Sequence, residues 1–352
     1  MDLALLSTIL LYSDLGTYPV ATVLFGFTLR DKNKRTKKSL AGNIAITITI
    51  IGFIVHLGYF ITRWIASGHA PLANLFEFMT FLGMSIVLAF IIIYFIYRLN
   101  ILGLFALPIA VMIIAYASLF GTELSPLLPS LQSPFLFIHV GTVSLSQGIL
   151  AISFVSGVIY LIRQVNQSSW NASSFWLEMI MLTIFILIGF VVSTTAFNMA
   201  DYKATFEYEE NERMINVDYH MPAIVGPNNG TLLTDDVMEP LFETPGWMKG
   251  ADAPRKFNTL IWSFLIGIIL HAVTALIFRK RIGAVLQPLV QKANPKLLDE
   301  ITYRAVAIGF PLFTLGGLIF AAIYAQIAWD RFWGWDPKEV WALITWFFYA
   351  AF

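Results

Sequence analysis

The sequence predicts an all-α polytopic membrane protein of eight complete spans and the start of a ninth, with its N-terminus extracytoplasmic. Three observations lead there. Hydrophobic residues make up 58% of the 352 and charged residues only 12%, against about a quarter charged in soluble domains. Mean hydropathy is +0.73. The apolar residues fall into runs of about 20, long enough to cross a hydrocarbon core of ~30 Å as helices, so the lipid bilayer is the first partner. The formal net charge is zero and there is no cysteine. Nothing therefore points to nucleic acid, and disulfides, thiolate metal sites and thiol redox chemistry within the chain are excluded.

Residues 3–29 form the first span, which contains Asp14 and Pro19. With no basic flank or small-residue cleavage site, it reads as a retained helix. Asp14 either faces the bundle or marks a break with Gly16 and Pro19. Residues 40–64 form the second span and 75–97 the third, whose start carries Asn74 and Glu77 in capping positions. The fourth covers 101–120. Ser133 and Pro134, a cap and a first helical residue, open the fifth at 134–162. Spans at 175–199, 258–278 and 302–328 follow, and Val340 begins the ninth. Residues 282–299, with mixed polarity and two prolines, read as a surface connector.

Lys- and Arg-rich short loops stay on the cytoplasmic side. Residues 30–38 hold six basic and one acidic residue, and an even number of spans separates this segment from Arg98, Arg163 and Arg279–Arg281. All four fall on one side. The N-terminus, the turn at Gly68-His69, residues 121–133, 201–256 and the stretch after 328 then lie outside the cytoplasm. Residues 1–352 read as a single membrane domain, with 201–256 an extracytoplasmic loop inside it. That loop carries eleven acidic against five basic residues and is broken by Pro222, Gly226-Pro227 and Asn228-Asn229-Gly230. It is either an irregular connection or a docking surface.

The densest information lies at 329–346, which holds five of the ten tryptophans. Asp336, Pro337 and Glu339 make a helix start. Trp329, Trp333 and Trp335 precede it on one short connection, whereas interfacial aromatics are usually scattered among helix ends. Trp64, Trp247 and Trp262 need no more than that interfacial role. An apolar planar ligand bearing carboxylates would suit both the tryptophan wall and the anion-attracting helix N-terminus. Haem is such a molecule. His139 lies five residues into the fifth helix, about 7.5 Å deep at 1.5 Å per residue, level with the tryptophans. It either bonds a neighbouring helix or ligates iron. His56 and His271 lie deeper, and intramembrane ionisable groups raise a functional question that packing could also answer. His69 and His220 read as loop residues.

The pattern Trp-x-x-x-Trp-x-Trp-Asp-Pro-Lys-Glu-x-Trp-Ala-x-Ile-Thr-Trp at 329–346 resembles the tryptophan-rich signature of cytochrome c biogenesis proteins. Residues 298–304, 309–312, 68–75 and 137–140 resemble the System II branch, in particular its haem-handling subunits of the CcsA/ResC type. The resemblance implies a subunit of a haem lyase (cytochrome c synthase) complex. With a ResB-type membrane partner, it would present haem b at the extracytoplasmic face of the cell membrane for attachment to the Cys-x-x-Cys-His of apocytochrome c. It implies a haem-binding stretch at 329–339, with Trp329, Trp333, Trp335 and Asp336 holding the cofactor and His139 as an axial iron ligand. Asp330 departs from the glycine usual in the family. The resemblance also implies an intramembrane histidine and a second outer ligand, both expected beyond Phe352. Two other readings compete: a multi-pass transporter lined by His56, His271 and Asp14, exporting haem or another cargo, and a haem b electron carrier without lyase activity.

Overall fold

Among the described residues, eight helices are long and apolar enough to cross a membrane. They occupy the predicted runs. The computed structural model describes residues 2–29, 40–118, 120, 123, 124, 126, 127, 132–210, 213–247 and 252–351. The basic segment 30–38 used above for orientation therefore lies outside the described residues. The chain divides into two compact units, Met1–Gln164 with Leu289–Phe352, and Val165–Pro288.

The first unit holds α1 (Leu3–Thr28), α2 (Leu40–Ser67), α3 (Leu75–Tyr97), α4 (Asn100–Ala117) and α5 (Pro134–Gln164). α1 packs along α2, and α3 along both α4 and α5. Its apolar centre includes Phe25 and Phe90, both fully buried and edge to face at 5.6 Å. α1 runs unbroken through Asp14 and Pro19, so of the two readings of Asp14 the inward-facing one holds. Its carboxylate is wholly buried, with Oδ2 2.7 Å from Nδ1 of the equally buried His56. At the start of α3, Asn74 accepts from Glu77 N–H at 2.9 Å, as capping requires. Glu77 does more than cap: it accepts from Ala73 N–H at 3.0 Å and pairs at 2.8 Å with buried Arg63 of α2.

The eighth span begins earlier than the apolar run suggests. Asn294 accepts from Lys296 N–H and Pro295 takes the first helical position, opening α9 (Pro295–Phe313). The helical path continues through a π segment, Thr314–Phe320, into α10 (Ala321–Trp329). α11 (Pro337–Ala350) follows. α9 lies along α5.

The second unit corrects two expectations. Residues 282–299 were expected as a connector, but Ile282–Val290 is a helix, α8. Glu178 caps it, its carboxylate accepting from Ile282 N–H at 3.2 Å and Gly283 N–H at 2.9 Å. Residues 201–256, expected as an irregular loop or a docking surface, contain five short strands among the described residues. β1 (Ala204–Glu210) pairs antiparallel with β2 (Arg213–Tyr219) in the register Phe206↔Val217. β4 (Thr231–Leu232) joins the other edge of β1, and β3 (Val225–Gly226) pairs parallel with β5 (Phe242–Glu243). The cause is period-two patterning: Ala204, Phe206 and Tyr208 point to one face and meet Val217 and Tyr219 in a small core. On the other face Asp218 accepts from Thr205 at 2.8 Å and pairs with Lys203 at 2.9 Å. These contacts hold its carboxyl below the ordinary aspartate value.

The spans of this unit are α6 (Ala172–Met199) and α7 (Asp252–Phe278). They approach so closely at Gly189 and Gly267 that a Cβ on either would meet the other helix's backbone. Asn258 ties α7 to β3, accepting from Ile224 and Val225 N–H at 2.8 and 2.9 Å. Trp262, read above as an interfacial aromatic, donates to the Pro222 carbonyl at 2.9 Å.

Candidate functional site

Ser133 accepts from Phe135 N–H at 3.2 Å and starts α5, so His139 sits in the helix's second turn. Its Nδ1 lies 2.8 Å from the carbonyl oxygen of Gly316. A carbonyl only accepts, so Nδ1 carries a proton, and in the neutral ring the lone pair is then at Nε2. Hydrogen bonds from the far ring nitrogen to a carbonyl orient histidines that ligate metals. Gly316 lies in the π segment, where its carbonyl also accepts from Ala321 N–H. The approach needs a glycine: a Cβ there would stand 2.8 Å from Val143 N and 3.0 Å from the Thr142 carbonyl carbon. Gly316→Ala is accordingly expected to cost about 1–3 kcal/mol through overpacking. It should also separate the imidazole from its acceptor, and a melting curve together with the absorption spectrum of the purified protein checks both.

Tyr324 of α10 stacks on the His139 ring at 5.9 Å with 14° between planes, and meets Trp329 edge to face at 5.6 Å. Through Tyr324, His139 is joined to the start of the tryptophan stretch. Trp333 and Trp335 form their own edge-to-face pair at 6.0 Å. Trp335 is 70% exposed and Trp329 50%, whereas Trp333 holds its Nε1 buried without a hydrogen-bond partner. The capping box read from the sequence is present: Asp336 accepts from Lys338 and Glu339 N–H at 2.8 and 2.9 Å. Glu339 Oε2 receives Gly334 N–H at 2.6 Å as well as the more distant Asp336 N–H. On the far side Trp346 donates to Thr314 Oγ1 at 3.0 Å, so α11 is tied to the first residue of the π segment.

Asp330 has a conformational explanation. It ends α10 with φ +54°, the left-handed position that most often takes glycine. Its carboxylate accepts from Gln326 Nε2 at 2.9 Å, which is a local helix-end bond. Trp335 also has a positive φ, +58°, an uncommon conformation for a bulky residue that sets the turn before Asp336.

Sequence reading missed Tyr324, Gly316 and Arg63. A tyrosine five residues before Trp329 and the Gly316-Gly317 pair inside an apolar span were the available signals. The remaining histidines lie elsewhere. His56 pairs with Asp14, and His271 Nε2 lies 3.7 Å from Glu178 in the second unit. His220 is exposed. His69 lines a cleft of about 800 Å³ with Trp64, Phe137, Ile138 and Leu72.

Residues 259–352 match the family described as Cytochrome C assembly protein. Over 322 residues the chain is 26% identical to the cytochrome c biogenesis protein CcsA of Pyropia yezoensis, covering 89% of this chain and 72% of that one. The CcsA of Gloeobacter violaceus is 28% identical over 300 residues, 84% and 69% of the two chains. That of Nostoc sp. is 28% identical over 316 residues, 88% and 76%. The chain is similar to CcsA-type cytochrome c biogenesis proteins over more than four fifths of its length. The resemblance seen at 329–346 thus extends across most of the chain, and the eight apolar helices make it a multi-pass membrane protein.

Proposed function

We propose that this chain holds haem b at the extracytoplasmic membrane face and presents it to apocytochrome c, acting with a ResB-type membrane subunit as a haem lyase. The supporting observation is His139: its Nδ1 proton is committed to Gly316, which leaves Nε2 as the donor a haem iron takes. The surroundings fit the group. Trp329 and Trp335 expose large apolar faces, and the unpartnered Trp333 Nε1 is a donor that a porphyrin carboxylate would satisfy. Haem is cargo here, and the covalent chemistry is addition of the two cysteine thiols of Cys-x-x-Cys-His to it as thioethers. This chain's residues bind and orient. His139 would hold the iron, the tryptophans would hold the plane, and Asp336 would fix the shape of the wall by starting α11.

The reading is tested by the absorption spectrum of the protein purified with its partner from membranes. Bound haem with a nitrogenous axial ligand is the expected result, and a colourless complex that still matures cytochrome c would contradict it. Asp336→Ala should cost about 1 kcal/mol, the worth of an N-cap, too little to remove the protein from the membrane. Immunoblotting should find normal amounts, while haem per protein falls. A secreted reporter fused after Gly334 should be active and a cytoplasmic one silent; the reverse pattern contradicts an extracytoplasmic site.

A transport reading draws on one observation. Asp14 Oδ1 and His56 Nε2 are buried polar atoms with no hydrogen-bond partner. Transport alone predicts no retained pigment, so the same spectrum separates the two.

A further inference from the structure

We propose that the basic end of the α6–α7 pair is a binding site for an anionic, hydroxyl-bearing phospholipid headgroup. Arg279, Lys280, Arg281, Gln167 and Gln287 line a cavity of about 560 Å³ there. The local backbone presents these cations together. Lys280 N–H bonds Ala275 carbonyl at 3.2 Å and Arg279 N–H bonds Leu276 carbonyl at 3.3 Å. With Arg279 at φ +49°, this is a left-handed Schellman end to α7. A bulky residue holds that conformation in place of the usual glycine, and the turn leaves Arg279 and Lys280 exposed beside the half-buried Arg281.

The guanidinium of Arg281 is fixed in advance. Its Nη2 donates to the carbonyls of Gln167 and Ser169, and the group lies 5.3 Å above the Trp170 ring. Its Nη1 is buried with no hydrogen-bond partner, and so are both Nε2 and Oε1 of Gln167. Such atoms are costly in a native fold and call for a ligand. The nearby carboxylate does not supply one. Glu178 is occupied by the first two N–H groups of α8, and none of the three cations forms an ion pair with a described carboxylate. Because Glu178 fills the α8 N-terminus, the site consists of side chains and not of a helix end.

The chemistry selects the ligand. A phosphate would accept from Arg281 Nη1 and Gln167 Nε2, with Arg279 and Lys280 supplying charge. Gln167 Oε1 only accepts, so it asks for a donor on the same headgroup, as a glycerol hydroxyl provides. Phosphate chemistry alone fits either a lipid or a soluble phosphate. The flanks favour the bilayer: Trp170 is 66% exposed, Trp176 65% and Ile277 70%. Amphipathic rings beside a basic pocket belong at the headgroup level.

The test uses the full chain in detergent, with dioctanoyl phosphatidylglycerol as probe and dioctanoyl phosphatidylcholine and glycerol 3-phosphate as comparison arms. Binding is read by native mass spectrometry and by the shift in melting temperature. Phosphatidylglycerol should be retained and should raise the melting temperature, and phosphatidylcholine should do neither. Arg281→Ala should abolish retention. The double variant Arg279→Ala/Lys280→Ala, which removes two exposed side chains, should weaken binding about fivefold per cation while folding normally. It decides the matter if Arg281→Ala fails to fold. Glycerol 3-phosphate binding as tightly as the lipid would overturn the bilayer source. Undiminished phosphatidylglycerol retention by the double variant would overturn the site.

Discussion

His139→Ala is expected to lower cytochrome c maturation by about tenfold or more while leaving the protein in the membrane. The ring makes one hydrogen bond, to Gly316 at 2.8 Å, and one stacking contact, with Tyr324 at 5.9 Å. Loss of both should cost about 1–3 kcal/mol, which a bundle of this size tolerates. The functional loss is larger. Changes to groups that merely orient a ligand cost 10–100-fold, so removing the ligand should reduce maturation by about tenfold or more. The tryptophans remain, so haem should still be held loosely and its spectrum should lose the imidazole signature. Added imidazole should restore part of the activity, because it can occupy the vacated space beside Tyr324 and return a nitrogen donor. His139→Cys should give a thiolate-type spectrum, since a small soft donor fits the same position. The comparison is made at matched protein levels. A histidine that only packs α5 against the π segment would give lower abundance and no response to imidazole, and normal maturation in His139→Ala would end the ligand assignment.

What the sequence disclosed divides along physical lines. The spans were legible because lipid demands apolar runs of a fixed length. The start of α11 was legible because capping is local: Asp336, Pro337 and Glu339 are neighbours in the chain and in space. Ser133-Pro134 opened α5 for the same reason. The β-strands of 201–256 were visible in principle, since Thr205-Phe206-Glu207-Tyr208-Glu209 alternates polar and apolar. Turn-forming residues nearby and the surrounding membrane spans masked that short signal. Arg63–Glu77 was not legible: capping accounts for Glu77 locally, and its second partner lies on another helix. The π segment was hidden more deeply. Its effect depends on Gly316 meeting the backbone of Val143, and nothing in residues 314–320 names that neighbour. Asp330 illustrates the converse. It departs from the glycine usual in the family, and the fold explains how it is accommodated: it sits in the left-handed helix end where a glycine would, with its carboxylate bonded to Gln326.

The buried pair of Asp14 and His56 should show the second-largest effect, on stability. Both side chains are fully excluded from solvent and Oδ2 stands 2.7 Å from Nδ1. The Tyr18 hydroxyl lies 3.5 Å from the same nitrogen, and Tyr59 packs against the His56 ring at 5.7 Å. Asp14→Ala strands the imidazole, and His56→Ala strands the carboxylate. Breaking a buried pair from one side typically costs about 3–5 kcal/mol, enough to deplete many membrane proteins from the cell. Replacing both partners together is a different experiment, because an apolar pair of similar volume is often neutral or stabilising. Asp14→Leu/His56→Leu should therefore recover most of the melting temperature that either alanine variant loses. It should also mature cytochrome c, since the proposed haem site lies at His139 and the tryptophans. The two outcomes separate structure from transport. A double variant that folds, melts like the parent and yet fails to mature cytochrome c would mean that the pair carries cargo or protons. The transport reading would then have its pathway between α1 and α2.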